Sequence, residues 1–104
     1  MGEFELVVLL ALLRLSDQAY GVTVRREIEK RTGRDVSIGA VYATLDRLQS
    51  KGYVRSRLAD PTPERGGRSK RFFRVTAAGI AAVNRTHTAV QKLIEGLDLS
   101  GSLA

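Results

Sequence analysis

Apolar residues fill most of positions 3–15, where Leu and Ala dominate, Gly and Pro are missing and Ser16-Asp17 closes the run. That pattern predicts a helix. Its apolar surface runs nearly all the way round, which predicts burial on two sides, by its own domain and by a partner subunit; Phe4 and Val8 are assigned to the partner side. Residues 21–31 read as a second helix, with Val24 and Ile28 four apart and Gly33 as its C-terminal stop. Ser37 is a good N-cap for a third helix over 38–51, and Gly52 a good residue to end it. Val41, Leu45 and Leu48 fall at i, i+4 and i+7 there, a stripe that faces a core. Two alternating segments follow. Over 53–59, Val54 and Leu58 point inward against Arg55 and Arg57; over 70–75, Phe73 and Val75 point inward against Arg71 and Arg74. The connection, 60–69, holds both prolines of the chain and the Gly66-Gly67 pair, a hairpin loop longer than usual. Thr76 caps a last helix in which Ile80, Val83, His87, Val90, Ile94 and Leu97 repeat at heptad spacings, a seam suited to pairing with another chain. Residues 98–104 read as a disordered tail.

Three helices, a strand, a glycine loop, a second strand and a helix are the parts of a winged helix-turn-helix followed by a C-terminal dimerisation helix. The fold class is therefore mainly α with a small β-hairpin (α+β). The division expected is a DNA-binding domain over 1–75, a dimerisation helix over 76–97 and the tail. Charge sharpens this. The formal net charge is +6, and the stretch from Arg55 to Arg74 supplies five of those charges, with seven Arg and Lys against Asp60 and Glu64. A cationic excess confined to one hairpin points to nucleic acid more than to general solubility. On the third helix, the face opposite the core stripe begins with Gly39, Tyr42 and Ala43 and continues to Asp46 and Arg47. Small residues near a helix N-terminus let backbone approach a groove, and helix N-termini and Tyr hydroxyls both suit phosphate oxygens.

Composition excludes other classes. The 104 residues contain no cysteine and one histidine, His87, so neither a disulfide, a thiolate site nor an unaided zinc site is available; no metal or cofactor is expected. The longest apolar run, Leu6 to Leu13, has eight residues, far short of the ~20 that span a bilayer, and it resembles neither a signal peptide nor an anchor. A cytoplasmic protein is expected. Gly66-Gly67-Arg68-Ser69-Lys70 lacks the spaced Gly-Lys-Ser/Thr ending of a P-loop, and the carboxylates are scattered without an acid-base partner. No enzyme is expected.

Several motifs resemble the PadR family of bacterial transcriptional regulators over nearly the whole chain. They are Tyr20-Gly21 opening the second helix, Val41-Tyr42 with Leu45, Arg47-Leu48 and Gly52-Tyr53-Val54, then Gly67-Arg68, Lys70-Arg71-Phe72-Phe73, Val75-Thr76 and Gly79. The resemblance implies a winged-helix homodimer that represses promoters by binding an inverted repeat in duplex DNA, with the helix after the wing as dimerisation arm. One short arm is similar to the family's smaller subgroup. Carried over to this chain, Tyr42 is the recognition-helix tyrosine on the DNA backbone, with Ser37, Gly39, Ala40 and Ala43 beside it in the major groove and Tyr20 nearby. Gly66, Gly67, Arg68, Ser69 and Lys70 match the basic wing that reaches a minor groove or flanking phosphates. Gln18-Ala19 stands where a His often precedes Tyr-Gly, Phe72-Phe73 replaces a usual Tyr-Tyr, and the last helix has no Trp. Some small members sandwich flat drugs at the dimer centre with an aromatic on that helix; the resemblance allows a small-molecule effector at the dimer centre, but this chain departs from the family in the aromatic that would sandwich it.

Other readings stand beside these. Tyr42 could be a half-buried tyrosine whose ring packs on the second helix, and both roles can hold at once. Arg47 is either a DNA ligand or a solvated charge paired with Asp46 or another acid, a pairing worth only ~0–1 kcal/mol. On the seam, His87 is either a buried neutral imidazole bonded to the partner or a group whose protonation near pH ~6.5 sets like charges against each other across the dimer. The basic face could also serve structured RNA, or the small residues of the third helix could admit an acidic protein.

Overall fold

The computed structural model describes residues 1–59 and 70–101. The expectations for the wing tip, Gly66, Gly67, Arg68 and Ser69 included, and for the tail over 102–104 lie outside the described residues.

In chain order the elements are α1 (Glu3–Leu15), a 3-10 turn (Ser16–Gln18), α2 (Gly21–Thr32), α3 (Ile38–Ser50), β1 (Val54–Leu58), β2 (Arg71–Val75) and α4 (Ala77–Ile94). Their ends follow from local chemistry. At the start of α2, Thr23 Oγ1 accepts from the Tyr20 amide at 3.0 Å, and Gly33, in the left-handed conformation at φ +71°, closes the helix. Ser37 Oγ accepts from the Ala40 amide at 3.0 Å to start α3. Thr76 Oγ1 accepts from the Gly79 amide at 3.1 Å to start α4, and also donates to the Gly52 carbonyl at 2.7 Å, tying that helix to the end of α3.

One core joins these elements. Val8, Leu9 and Leu12 of α1 meet Val24 and Ile28 of α2, Val41, Leu45 and Leu48 of α3, Val54 and Phe73 of the hairpin and Val83 of α4. Burial of each Leu stabilises the fold by about 1.5–3 kcal/mol, so this shared cluster holds the helices and the hairpin as one unit. Val8 is wholly enclosed and Val83 nearly so, which corrects their assignment to a face reserved for a partner: α1 turns Val8 inward onto α2 and α3, and the first turns of α4 lie on α1. The second apolar side of α1 is real but elsewhere, at Leu10 and Leu13, 43 % and 41 % exposed.

The hairpin is antiparallel, pairing Val54 with Val75, Arg55 with Arg74, Ser56 with Phe73, Arg57 with Phe72 and Leu58 with Arg71. Two expectations are corrected here. Leu58 is 69 % exposed, because β1 runs past the edge of the core; alternation assigns a face but not a neighbour to cover it. Arg71 shares the face of Phe73, its guanidinium lying 5.0 Å from the centre of that ring. One isolated β-bridge beside this two-stranded sheet is not legible in the sequence. Tyr20 bridges Phe72, and the Phe73 amide donates to the Ala19 carbonyl at 2.8 Å.

Helix α4 stops at Ile94, where the chain turns through Gly96 at φ +80°. Leu97 therefore lies beyond the helix on which the heptad placed it. Among residues 98–101 there is no helix or strand.

Candidate nucleic-acid interface

Helix α3 presents one side to the core and the other to solvent. Val41, Leu45 and Leu48 are buried, while Ser37, Gly39, Ala40, Tyr42, Ala43, Asp46 and Arg47 lie on the outer side. A methyl group at Gly39 would have no atom within 4 Å, so the first turn is bare. The cap hydroxyl of Ser37 fixes the entry of the chain into that turn, leaving the helix N-terminus with its small residues directed outward.

Tyr42 leaves this face sideways. It lies against the first residue of α2, and a Cβ on Gly21 would overlap the end of its ring at Cζ and the hydroxyl. The ring packs on the second helix and is still 39 % exposed. Beyond Gly21 the surface continues into the wing base. The Tyr20 ring meets Phe72 edge-on at 5.4 Å, and Lys70 Nζ sits 3.9 Å from the centre of the Tyr20 ring, within cation–π range. Tyr20, Phe72 and Lys70 thus form one aromatic and cationic cluster at the wing base, and Gly21, next to Tyr20 in the chain, seats the ring of Tyr42.

Arg47 does not pair with Asp46. Its Nη2 donates to Thr44 Oγ1 at 3.0 Å and its Nε lies 3.8 Å from Glu5 Oε2, which turns it back toward α1. Glu5 is a residue that no sequence motif singles out. It is 7 % exposed, takes two contacts from Lys51 Nζ at 3.0 and 2.9 Å and accepts from the Gly2 amide at 3.1 Å. The Lys51 hydrogen bond holds its carboxyl below the usual carboxylate range, against the opposing effect of burial. Asp46 instead faces Arg71 at 3.6 Å. Arg71 also donates to Gln49 Oε1 at 2.8 Å, and Ser56 Oγ donates to the same oxygen at 2.9 Å. One side chain in the last turn of α3 therefore takes a bond from each strand of the hairpin. The partners lie 7 and 22 residues away, and no local spacing announces them.

Of the positions assigned to pairing between chains, Phe4 is half-buried on the core with the Arg34 guanidinium 5.4 Å from its ring centre. Ile80, His87, Val90 and Leu97 are exposed, and Ile94 is partly so. Leu93, absent from the heptad assignment, is 77 % exposed. Among the described residues no group of His, Asp or Glu gathers to hold a metal, and no helix is long and apolar enough to cross a membrane.

The profile described as the Transcriptional regulator PadR-like family matches residues 9–85, from the middle of α1 through the hairpin into α4. The chain belongs to that family. It is a regulator and not an enzyme. Its sequence is 34 % identical over 79 residues to the transcriptional regulator Rv3488 of Mycobacterium tuberculosis, covering 74 % of this chain and 67 % of that one. The fold is similar to a PadR-like transcription factor from Bacteroides fragilis, with a TM-score of 0.76 at 20 % identity, covering 88 % of this chain and 84 % of that one. It is also similar to a winged-helix DNA-binding protein from STIV, with a TM-score of 0.73 at 20 % identity, covering 94 % and 98 %. The architecture is that of a winged helix.

Proposed function

We propose that this PadR-like protein is a homodimeric, cytoplasmic repressor that binds an inverted repeat in duplex DNA through α3 and the wing. The observation that carries the reading is the bare first turn of α3. Ser37, Gly39, Ala40 and Ala43 leave its backbone approachable, and Tyr42 beside them keeps an exposed side that offers its hydroxyl to phosphate. The net charge of +6 favours the same partner.

Dimerisation is supported by apolar surface with no cover in the single chain. Ile80, Val90 and Leu93 on α4 and Leu10 and Leu13 on α1 are all exposed, more than scattered surface residues require. Two copies joined through these helices would set two recognition helices on one face of the duplex, with half-sites about one helical turn apart. Because Val75-Thr76 joins wing to arm without a linker, a small molecule at the dimer centre that binds two arm angles unequally would change the spacing of the recognition helices and relieve repression.

The test is fluorescence anisotropy on a duplex from the region upstream of the gene against a scrambled duplex, at two salt concentrations. Preference for the upstream duplex is expected, with log affinity falling against log salt at a slope of about −5 to −9, from roughly 6–10 neutralised phosphates per dimer. A slope near zero overturns the phosphate contacts, and a protein that sediments as a monomer at micromolar concentration overturns the dimer.

A further inference from the structure

The two faces of the hairpin are chemically unlike. The face that carries Val54, Ser56, Phe73 and Val75 closes the core and reaches Gln49 of α3. The register puts Arg55, Arg57, Phe72 and Arg74 on the other face, which looks away from the recognition helix. Arg55 and Arg74 are direct cross-strand partners, with Cβ atoms about 5 Å apart, an arrangement that destabilises a hairpin when both carry the same charge. Arg57 adds a third guanidinium, lying 5.0 Å from the centre of the Phe72 ring. All three are exposed. Other cations meet acids, Arg14 and Arg31 on Glu27, Arg25 on Glu29, Arg34 on Glu3, Lys51 on Glu5 and Arg71 on Asp46, while Arg26, Lys30, Arg85 and Lys92 lie singly on helices α2 and α4. Among the described residues, Arg55, Arg57 and Arg74 have no ion pair. They line a cleft of about 300 Å³ whose far wall is Ser16 and Asp17, and Asp17 is its one carboxylate.

We propose that this outer face of the wing binds backbone phosphates of the duplex that flanks the half-site, a second DNA contact separate from that of α3 and the wing tip. This rests on the DNA-binding reading and extends it. Charge complementarity selects the occupant, because three unpaired guanidiniums on one sheet face match a polyanion, whereas the same face of a second copy would be repelled. Position selects which stretch of duplex. The face is turned from α3, and Arg55 stands four residues from the end of the described hairpin, about 13 Å at strand spacing. A duplex seated on α3 meets it only past the wing.

The experiment uses the full chain and two duplexes, one ending at the half-sites and one extended by about one helical turn on each side. The wild type is expected to bind the extended duplex about tenfold more tightly, with a steeper salt slope. Arg55→Ala/Arg74→Ala should remove that advantage, cutting the slope on the extended duplex by about 0.9 for each phosphate that is no longer neutralised, and leave the trimmed duplex unaffected. Asp17→Asn, which removes the one opposing charge, should strengthen binding to the extended duplex alone. Equal wild-type affinity for the two duplexes overturns the proposal. So does a loss of equal factor on both in the double variant, whether its thermal midpoint is normal, which places the arginines inside the half-site, or lowered, which makes them structural. Wild-type protein that binds neither duplex would defeat the DNA reading itself, an outcome distinct from these.

Discussion

The ring of Tyr42 lies on Gly21, and the fit leaves no room for a side chain at that position. Cζ, the hydroxyl oxygen and Cε2 of the ring all crowd the point where a Cβ would stand. The tyrosine of the exposed α3 face is therefore aimed by the first residue of α2. Since the crowding atoms are the end of a rotatable, partly exposed side chain, Gly21→Ala is expected to change stability by no more than about 0.5 kcal/mol while swinging the ring out of place. Anisotropy should then show about a tenfold loss of duplex affinity, the size of one hydrogen bond to a charged group. Tyr42→Phe should lose a similar amount with the ring still seated. Full affinity in both variants would remove Tyr42 from the interface.

Gly39 behaves in the opposite way. Nothing lies within 4 Å of a Cβ placed there, and glycine inside a helix costs about 1 kcal/mol relative to Ala. Gly39→Leu is expected to raise the thermal midpoint slightly and to abolish the preference for the specific duplex by blocking approach of the α3 backbone. A variant that is more stable and still selective would show that this turn does not enter a groove.

At Gly79 the obstacle is backbone. A Cβ there would overlap the Tyr53 carbonyl oxygen and press on Val75 Cγ1 at 2.7 Å, and the Thr76 amide already donates to that same carbonyl at 2.9 Å. Neither the carbonyl nor the helix can yield cheaply. Gly79→Ala should cost about 1–3 kcal/mol, as overpacking does, which for a domain of this size lowers the thermal midpoint by at least about 4 °C. Calorimetry decides it; an unchanged midpoint would mean that α4 docks less tightly on the hairpin than the geometry indicates.

Acid should weaken the protein partly through Glu5. Its carboxyl is held below the ordinary value of 4.5, first by the hydrogen bond from Lys51, then by the Gly2 amide and by the charges of Lys51 and Arg47, against burial. A group whose folded-state pKa is depressed stabilises the fold fully above its unfolded pKa, and that contribution disappears as pH falls through the folded value. Glu5→Gln should accordingly be less stable than wild type near neutral pH, and the gap should close below about pH 4.5. Glu27 is also held low, first by the hydrogen bond from Arg31, so the difference between wild type and variant is the informative quantity. A gap constant from neutral to acid pH would show that Glu5 acts through packing alone.

Most of the fold is legible in the sequence because its determinants are local. Ser37 and Thr76 cap the helices they precede, Gly33 ends α2, and the Val41, Leu45, Leu48 stripe places α3. What fails depends on contacts at long range. Val8 falls to a partner because an all-round apolar helix does not say which side its own core takes. Leu58 obeys strand alternation but has no layer above it, and Leu97 continues a heptad after the helix has stopped. The bridge at Ala19-Tyr20 is too short to alternate and exists through Phe72 and Phe73. In the site, sequence picks out the exposed face of α3 by subtraction from the core stripe. The seat of Tyr42 on Gly21 and the Glu5–Lys51 pair join residues 21 and 46 apart, where spacing carries no signal.

The wing's angle to α3 rests on Gln49. Its Oε1 accepts from Ser56 on β1 and from Arg71 on β2, and Asp46 one turn earlier faces Arg71 at 3.6 Å. These contacts are exposed, so each is worth about 0.5–1.5 kcal/mol, too little to unfold the domain if removed but enough to choose among hairpin orientations. Gln49→Ala should keep the fold and its thermal midpoint within a few degrees, and speed amide exchange in β1 and β2 relative to α1. Duplex binding should weaken with a shallower salt slope, because phosphates met by the wing are then reached only part of the time. Gln49→Glu offers Ser56 and Arg71 the same acceptor and should restore hairpin protection to the wild-type rate. Exchange in Gln49→Ala that matches wild type throughout the hairpin would show that packing of Phe73 alone orients the wing.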